Sequence, residues 1–118
     1  MPAGSIPASL MVFDDYSRSF IVRIDIGLTN ETLWAGCEII QIGGRANLVT
    51  APKIALEIMA KNLGKIIDPP QDRSEVTLTG PMAVWAYLVA FHAVVHKFTK
   101  VYYDDGKSGP LLVAQHGA

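Results

Sequence analysis

Alternation is the first signal along the chain. Over residues 20–26, Phe20, Val22, Ile24 and Ile26 fall on one side of an extended backbone, with Ile21, Arg23 and Asp25 on the other. That period of two predicts a half-buried strand. Residues 10–13 form a short apolar strand. The intervening Asp14-Asp15-Tyr16-Ser17-Arg18 is turn chemistry, since Asp and Ser side chains bond their own backbone, so the pair predicts an antiparallel hairpin. Leu28-Thr29-Asn30-Glu31 reads as a helix start capped by Thr29 or Asn30, with a short helix to about Ala35. Residues 37–42 predict another strand, closed by Gly43-Gly44. The spacing then becomes helical. Ile54, Leu56, Ile58, Met59 and Leu63 are apolar, whereas Lys53, Glu57, Lys61 and Asn62 are polar. This is an amphipathic helix opening at Thr50-Ala51-Pro52 and stopping at Gly64. A stiff polar loop, Asp68-Pro69-Pro70-Gln71-Asp72-Arg73, follows.

The chain is organised around its last third. Residues 75–79 alternate and are rich in β-branched side chains, which predicts a strand. Gly80-Pro81 ends that strand and opens a helix, because Pro suits the first helical position. From Pro81 to His96 the chain has no charged residue unless a histidine is protonated. Residues 100–103 and 110–115 predict two more strands, separated by the polar turn over residues 104–109. A strand–helix–strand unit followed by a hairpin results. The strands flanking the helix should be parallel, joined by a right-handed crossover. The expected fold class is α/β, a mixed sheet with helices packed on it.

A length of 118 residues, half of them hydrophobic, fits one domain with a single core over residues 10–118, after a flexible leader at residues 1–9. The formal charge of −1 does not indicate a generic grip on long nucleic acid, double-stranded DNA included, which usually shows a basic stripe. A small phosphorylated ligand needs only a few placed groups. The single Cys37 cannot form an internal disulfide, so a reducing, cytoplasmic setting fits, and the thiol reads as a buried structural one. No targeting segment is evident. The helix from Pro81 is shorter than the ~20 apolar residues of a membrane span, and it reads as a core or interface helix. Because it is apolar on every side, it predicts a homodimer.

All three histidines, His92, His96 and His116, lie in the last third. His92 and His96 are four apart and share a helix face. They can bind a divalent metal, with Asp104, Asp105 or His116 as a third ligand. Alternatively, His96 is a polar site residue at the helix end while His92 is packed, or both are structural, with His96 favoured by the negative end of the helix dipole. The turn Asp104-Asp105-Gly106-Lys107-Ser108-Gly109 is either an ordinary hairpin turn or an acid and a base brought to the same sheet edge as the helix end. It lacks the spacing of a phosphate-binding P-loop. The Gly80-Pro81 helix start is a simple cap or a phosphate site made of free backbone N–H groups.

These elements together resemble CRISPR ring nuclease 3, a small CRISPR-associated family of type III systems. The resemblance runs over about a third of the chain. It rests on Gly80-Pro81, the histidine-bearing helix, Tyr103-Asp104, the turn Asp105-Gly106-Lys107-Ser108-Gly109, and the strand ending in Gln115-His116. His96, Asp105 and His116 fall at the family's spacing, and Lys107 stands where the family usually has Arg. Residues 43–73, with their own helix, look like an insertion. The resemblance implies a Rossmann-like domain akin to cyclic-oligoadenylate sensors. It further implies homodimers that hold cyclic tetra-adenylate between two dimers, and cleavage of this second messenger to switch off the antiviral response. Manganese-dependent RNA cleavage is also associated with the family. Carried over, His96 and Asp105 are catalytic, Lys107 and His116 hold phosphate or ribose, and Gly80-Pro81 faces another phosphate. A metal, if used, would draw on His96, Asp105 and His92. The alternatives are a protein that sequesters the ligand uncut and a structural dimerisation module.

Overall fold

The computed structural model describes residues 11–13, 20–69 and 73–116. The expected leader, Leu10, the turn over residues 14–18, and Pro70-Gln71-Asp72 of the polar loop lie outside the described residues. The elements are β1 (Met11–Phe13), β2 (Phe20–Asp25), β3 (Ile39–Ile42), β4 (Arg45–Leu48), α1 (Pro52–Ile67), β5 (Glu75–Thr79), α2 (Val84–Val95), β6 (Lys100–Asp104) and β7 (Pro110–Gln115). Five strands form one mixed sheet in the order β1-β2-β5-β6-β7, and β3 with β4 forms a separate ribbon. The expected hairpins β1–β2 and β6–β7 are antiparallel, and β5–β6 is parallel. A second parallel pair, β2–β5, has Val22 opposite Val76 and Ile24 opposite Leu78. The connection between these two strands carries both the ribbon and α1.

From Val22 to Ile26 the expected alternation holds. Val22 and Ile24 are buried, together with Val76 and Leu78 of β5 and Val101 of β6. Over them pack Ala55, Met59, Leu63, Ile66 and Ile67 of α1 and Ala86, Ala90 and Val94 of α2, and the two helices touch each other. Full burial of a side chain of Val, Leu, Ile or Met size stabilises the fold by roughly 1.5–3 kcal/mol. The small Ala86 and Ala90 let α2 lie close to its neighbours. The other face of α2 is left bare, with Val84 73% and Leu88 63% exposed.

Four sequence expectations are corrected. Residues 28–35 form consecutive turns and not a helix. Asn30 does make the expected cap bond, its Oδ1 accepting from Leu33 N at 3.3 Å while its Nδ2 donates to Asp25 O at 2.7 Å. Among the described residues a single i to i+4 bond follows, Trp34 N to Asn30 O at 3.2 Å, and the segment then closes with Cys37 N donating to Trp34 O at 3.0 Å. The turns seat Trp34, whose indole N–H donates to Ile26 O at 3.0 Å and whose ring meets Trp85 edge to face. Secondly, α1 runs through Gly64 to Ile67, because Ile66 and Ile67 add a further buried turn that offsets the glycine's cost. Thirdly, α2 begins at Val84 and not at Pro81, with Ala83 still extended at ψ 152°. Lastly, Gly43-Gly44 does not merely close a strand. With φ of 58° and 79° the pair turns β3 back into β4, a strand that the sequence pattern does not announce.

Candidate functional site

A β-α-β unit has two ends. β5 and β6 run upward, and α2 runs back down between them. The start of α2, the end of β5 and the end of β6 therefore share the C-terminal edge of the sheet. The end of α2 and the start of β6 share the opposite edge. His96, the C-terminal cap of α2, precedes β6, whereas Asp105 follows it. The expectation that His96 and Asp105 reach the same sheet edge is thus not met within one chain: the 5 residues of β6 lie between them. At roughly 3.3 Å per residue that is a separation of about 16 Å.

The C-terminal edge gathers Gly80, Pro81, Tyr103, Asp104 and Asp105 around one concavity. Asp104 ends β6 opposite Pro110 and is fully engaged. Its Oδ2 accepts from Arg23 Nη2 at 3.0 Å, its Oδ1 from Gly106 N at 2.8 Å, and its backbone O from the Thr79 hydroxyl at 2.9 Å. The Gly106 N–H, followed by the Arg23 guanidinium, holds its carboxyl below the ordinary carboxylate range. Asp105 is the turn residue proper. Its Oδ1 accepts from Lys107 N at 2.8 Å and Ser108 N at 2.9 Å, and these N–H groups, Ser108 first, lower its pKa. Asp105 therefore builds the hairpin turn whatever else it does. Lys107 is exposed.

Gly80 sits at φ 102°, and a Cβ there would lie 2.0 Å from Asp25 Oδ1 and 2.9 Å from Gly27 N. Only glycine admits this close approach. Asp25 Oδ1 in turn accepts from Gly27 N at 2.8 Å. Beside it, Gly80, Pro81, Met82, Val84, Tyr87 and Tyr103 line an apolar concavity of about 390 Å³. Tyr87 donates its hydroxyl proton to Gly80 O and meets Tyr103 edge to face, with centroids 5.3 Å apart. Burial, the neighbouring Tyr103 and the carboxylates Asp25 and Asp104 push the Tyr87 phenol up to about 12. On the other flank, Gly27, Leu28, Thr29, Gly44, Arg45, Ala46 and Pro81 line a cleft of about 500 Å³.

The N-terminal edge has different chemistry. His96 and His116 line one concavity with Arg73, Lys97 and Thr99, and among the described residues no carboxylate lines it. His116 N donates to Thr99 O at 2.7 Å, and Thr99 N to Arg73 O at 3.0 Å, which ties the end of β7 to the loop before β5. Arg73 Nη2 donates to the last carbonyls of α1, Ile67 O at 2.8 Å and Asp68 O at 3.4 Å, and the guanidinium lies over the Phe98 ring. His92 is exposed rather than packed, and its ring meets His96 edge to face at 5.0 Å. The shared histidine face was legible from the i, i+4 spacing. The exposure of His92 was not, because it depends on where α2 turns its stripe.

Among the described residues, no group of three or more His, Cys, Asp or Glu comes together that could hold a metal ion. A set of His92, His96 and Asp105 would span both edges and does not form within one chain. Cys37 is half-buried, with burial pushing its thiol pKa up. No described helix is long and apolar enough to cross a membrane. The sequence pattern did not single out Arg23, Arg73 or Tyr87. Arg23 alone carried a signal, as a cation on the outward side of an alternating strand. Comparison of the chain with protein-family models, with curated proteins and with solved structures gave no match.

Proposed function

We propose that this chain is a ring nuclease that binds cyclic tetra-adenylate and cleaves it, with a Rossmann-like domain as the scaffold. The observation that carries the reading is that His96 and His116 line one concavity together with Lys97. Two imidazoles beside Lys97 are suited to a phosphodiester, since histidine moves protons near neutral pH and the cation steadies the phosphate. In RNA the nucleophile is built in. The ribose 2′ oxygen attacks the adjacent phosphorus as a base removes its proton. The bond from phosphorus to the 5′ oxygen breaks, and an acid returns a proton to that oxygen. The products are a 2′,3′-cyclic phosphate and a free 5′ hydroxyl. His96 takes the acid–base role in this reading, His116 holds phosphate or ribose, and in-line placement supplies much of the rate.

The separation of the two edges makes the site an assembly property. Asp105, Lys107 and the Gly80-Pro81 turn meet His96 only if the C-terminal edge of one chain faces the N-terminal edge of another. A ligand with four equivalent units, held between two dimers, suits that arrangement. The bare stripe of Val84 and Leu88 on α2 is the dimer surface in this proposal. Manganese, if used, would be held where Asp105 of one chain meets His96 of another.

Incubation of the purified protein with labelled cyclic tetra-adenylate, alongside light scattering, tests this. Linear products and a dimer are expected. Intact but retained ligand would instead favour a sequestering protein, which the Asp105 carboxylate favours, being already committed to its turn. Ligand neither cut nor retained would leave a structural dimerisation module.

A further inference from the structure

The three concavities at the C-terminal edge have Pro81 in common. They adjoin at that residue in a depression whose lining includes the Asp104–Asp105 turn on one side and Gly44-Arg45 of the β3–β4 ribbon tip on the other. The ribbon lies outside the main sheet, and its exposed glycine turn carries Arg45 as the first residue of β4. That position lies in the 500 Å³ cleft beside Gly27, Thr29 and Pro81.

Arg45 differs from the other arginines whose side chains are described. Arg23 is paired with Asp104, and Arg73 donates to the carbonyls ending α1. The Arg45 side chain is exposed and has no hydrogen bond or ion pair among the described residues. Among the described residues no carboxylate lines its cleft, and the Oδ1 of Asp25 accepts from Gly27 N. An exposed guanidinium that lines a cleft with no described protein anion is suited to an external one. Its planar fork can take two phosphate oxygens at once, which the point charge of Lys107 at the far end of the depression cannot.

We propose that Arg45 is a phosphate-binding residue of this edge: the β3–β4 ribbon is part of the ligand site and supplies its bidentate phosphate contact. The proposal rests on the reading of this edge as an oligoribonucleotide site, and the class of ligand is a phosphodiester. The apolar slot of Tyr87 and Tyr103, next along the depression, offers a base an aromatic surface.

The test compares wild type, Arg45→Ala, Arg45→Lys and the charge-matched control Lys61→Ala, on the exposed side of α1. Binding of labelled cyclic tetra-adenylate is measured at two salt concentrations. Arg45→Ala is expected to weaken binding about tenfold or more and to flatten the salt dependence by about one ion, with Arg45→Lys between it and wild type and Lys61→Ala unchanged. Binding by Arg45→Ala within about twofold of wild type, with the same salt slope, would overturn the assignment while the functional reading stood. If wild type does not bind cyclic tetra-adenylate, the functional reading fails and inorganic pyrophosphate decides the fate of Arg45. Amide shifts at Gly27, Thr29 and Gly44 in wild type, lost in Arg45→Ala, would support it, and their absence would overturn it.

Discussion

The two edges of the sheet are built from one β-α-β unit yet carry opposite chemistry. The C-terminal edge is made of turns: Gly80, the Asp105 turn and the ribbon tip, with carboxylates that accept backbone N–H groups and tyrosines that line a slot. The N-terminal edge is made of element ends stitched by backbone bonds, and the described side chains lining its concavity include His96, His116, Arg73 and Lys97. One edge is shaped by close approach, the other by charge. Neither holds the full set of groups that the ring nuclease proposal invokes. Residues close in sequence, His96 and Asp105, are separated because a helix and the strand after it run in opposite directions.

The comparison breaks most sharply in a mixing experiment. His96→Ala and Asp105→Ala should each lower turnover of cyclic tetra-adenylate by roughly 10²–10⁴-fold, the usual cost of losing a general acid or base. If the two edges meet between chains, mixing the two inactive variants should restore a measurable fraction of activity. Loss in each variant without recovery on mixing would place both residues in one chain's site, against the topology.

A smaller effect separates an edge glycine from a helical one. At Gly80 an added Cβ collides with Asp25 Oδ1 and the backbone is at φ 102°, so Gly80→Ala should destabilise the fold by about 1–3 kcal/mol in denaturant titration. Gly64 lies inside α1, and a methyl group added there would meet nothing within 4 Å, so Gly64→Ala should stabilise by roughly 0.5–1 kcal/mol. A neutral Gly80→Ala would show that the edge yields.

The smallest effects are in pH. The Asp104 and Asp105 carboxyls are lowered in the folded protein, so the unfolded chain takes up protons first as pH falls. Their contribution is present above about pH 4 and is lost as pH drops through their lower folded values. Asp104→Asn should flatten that acid limb in unfolding followed by circular dichroism. Tyr87 has the opposite sign: its phenol is raised to about 12, so its contribution holds below about pH 10 and is lost as pH climbs toward the folded value. Tyr87→Phe should remove that alkaline slope, and an unchanged slope would place its origin elsewhere.

What the sequence determined by itself is local. Alternation in β2, the β-branched run of β5, the amphipathic spacing of α1 and the turn residues between β6 and β7 fix those elements, because a period of two or of 3.6 is a property of neighbouring residues. The expectation of a family motif at Gly80-Pro81, His96, Asp105 and His116 likewise came from order along the chain. Only the tertiary structure decided which of these residues share an edge, that β2 pairs with β5 across the ribbon and α1, that His92 faces outward, and that Arg45 lies beside Pro81. Each of these depends on strand order and helix direction, which bring distant residues together and carry sequence neighbours apart, and no local pattern encodes that.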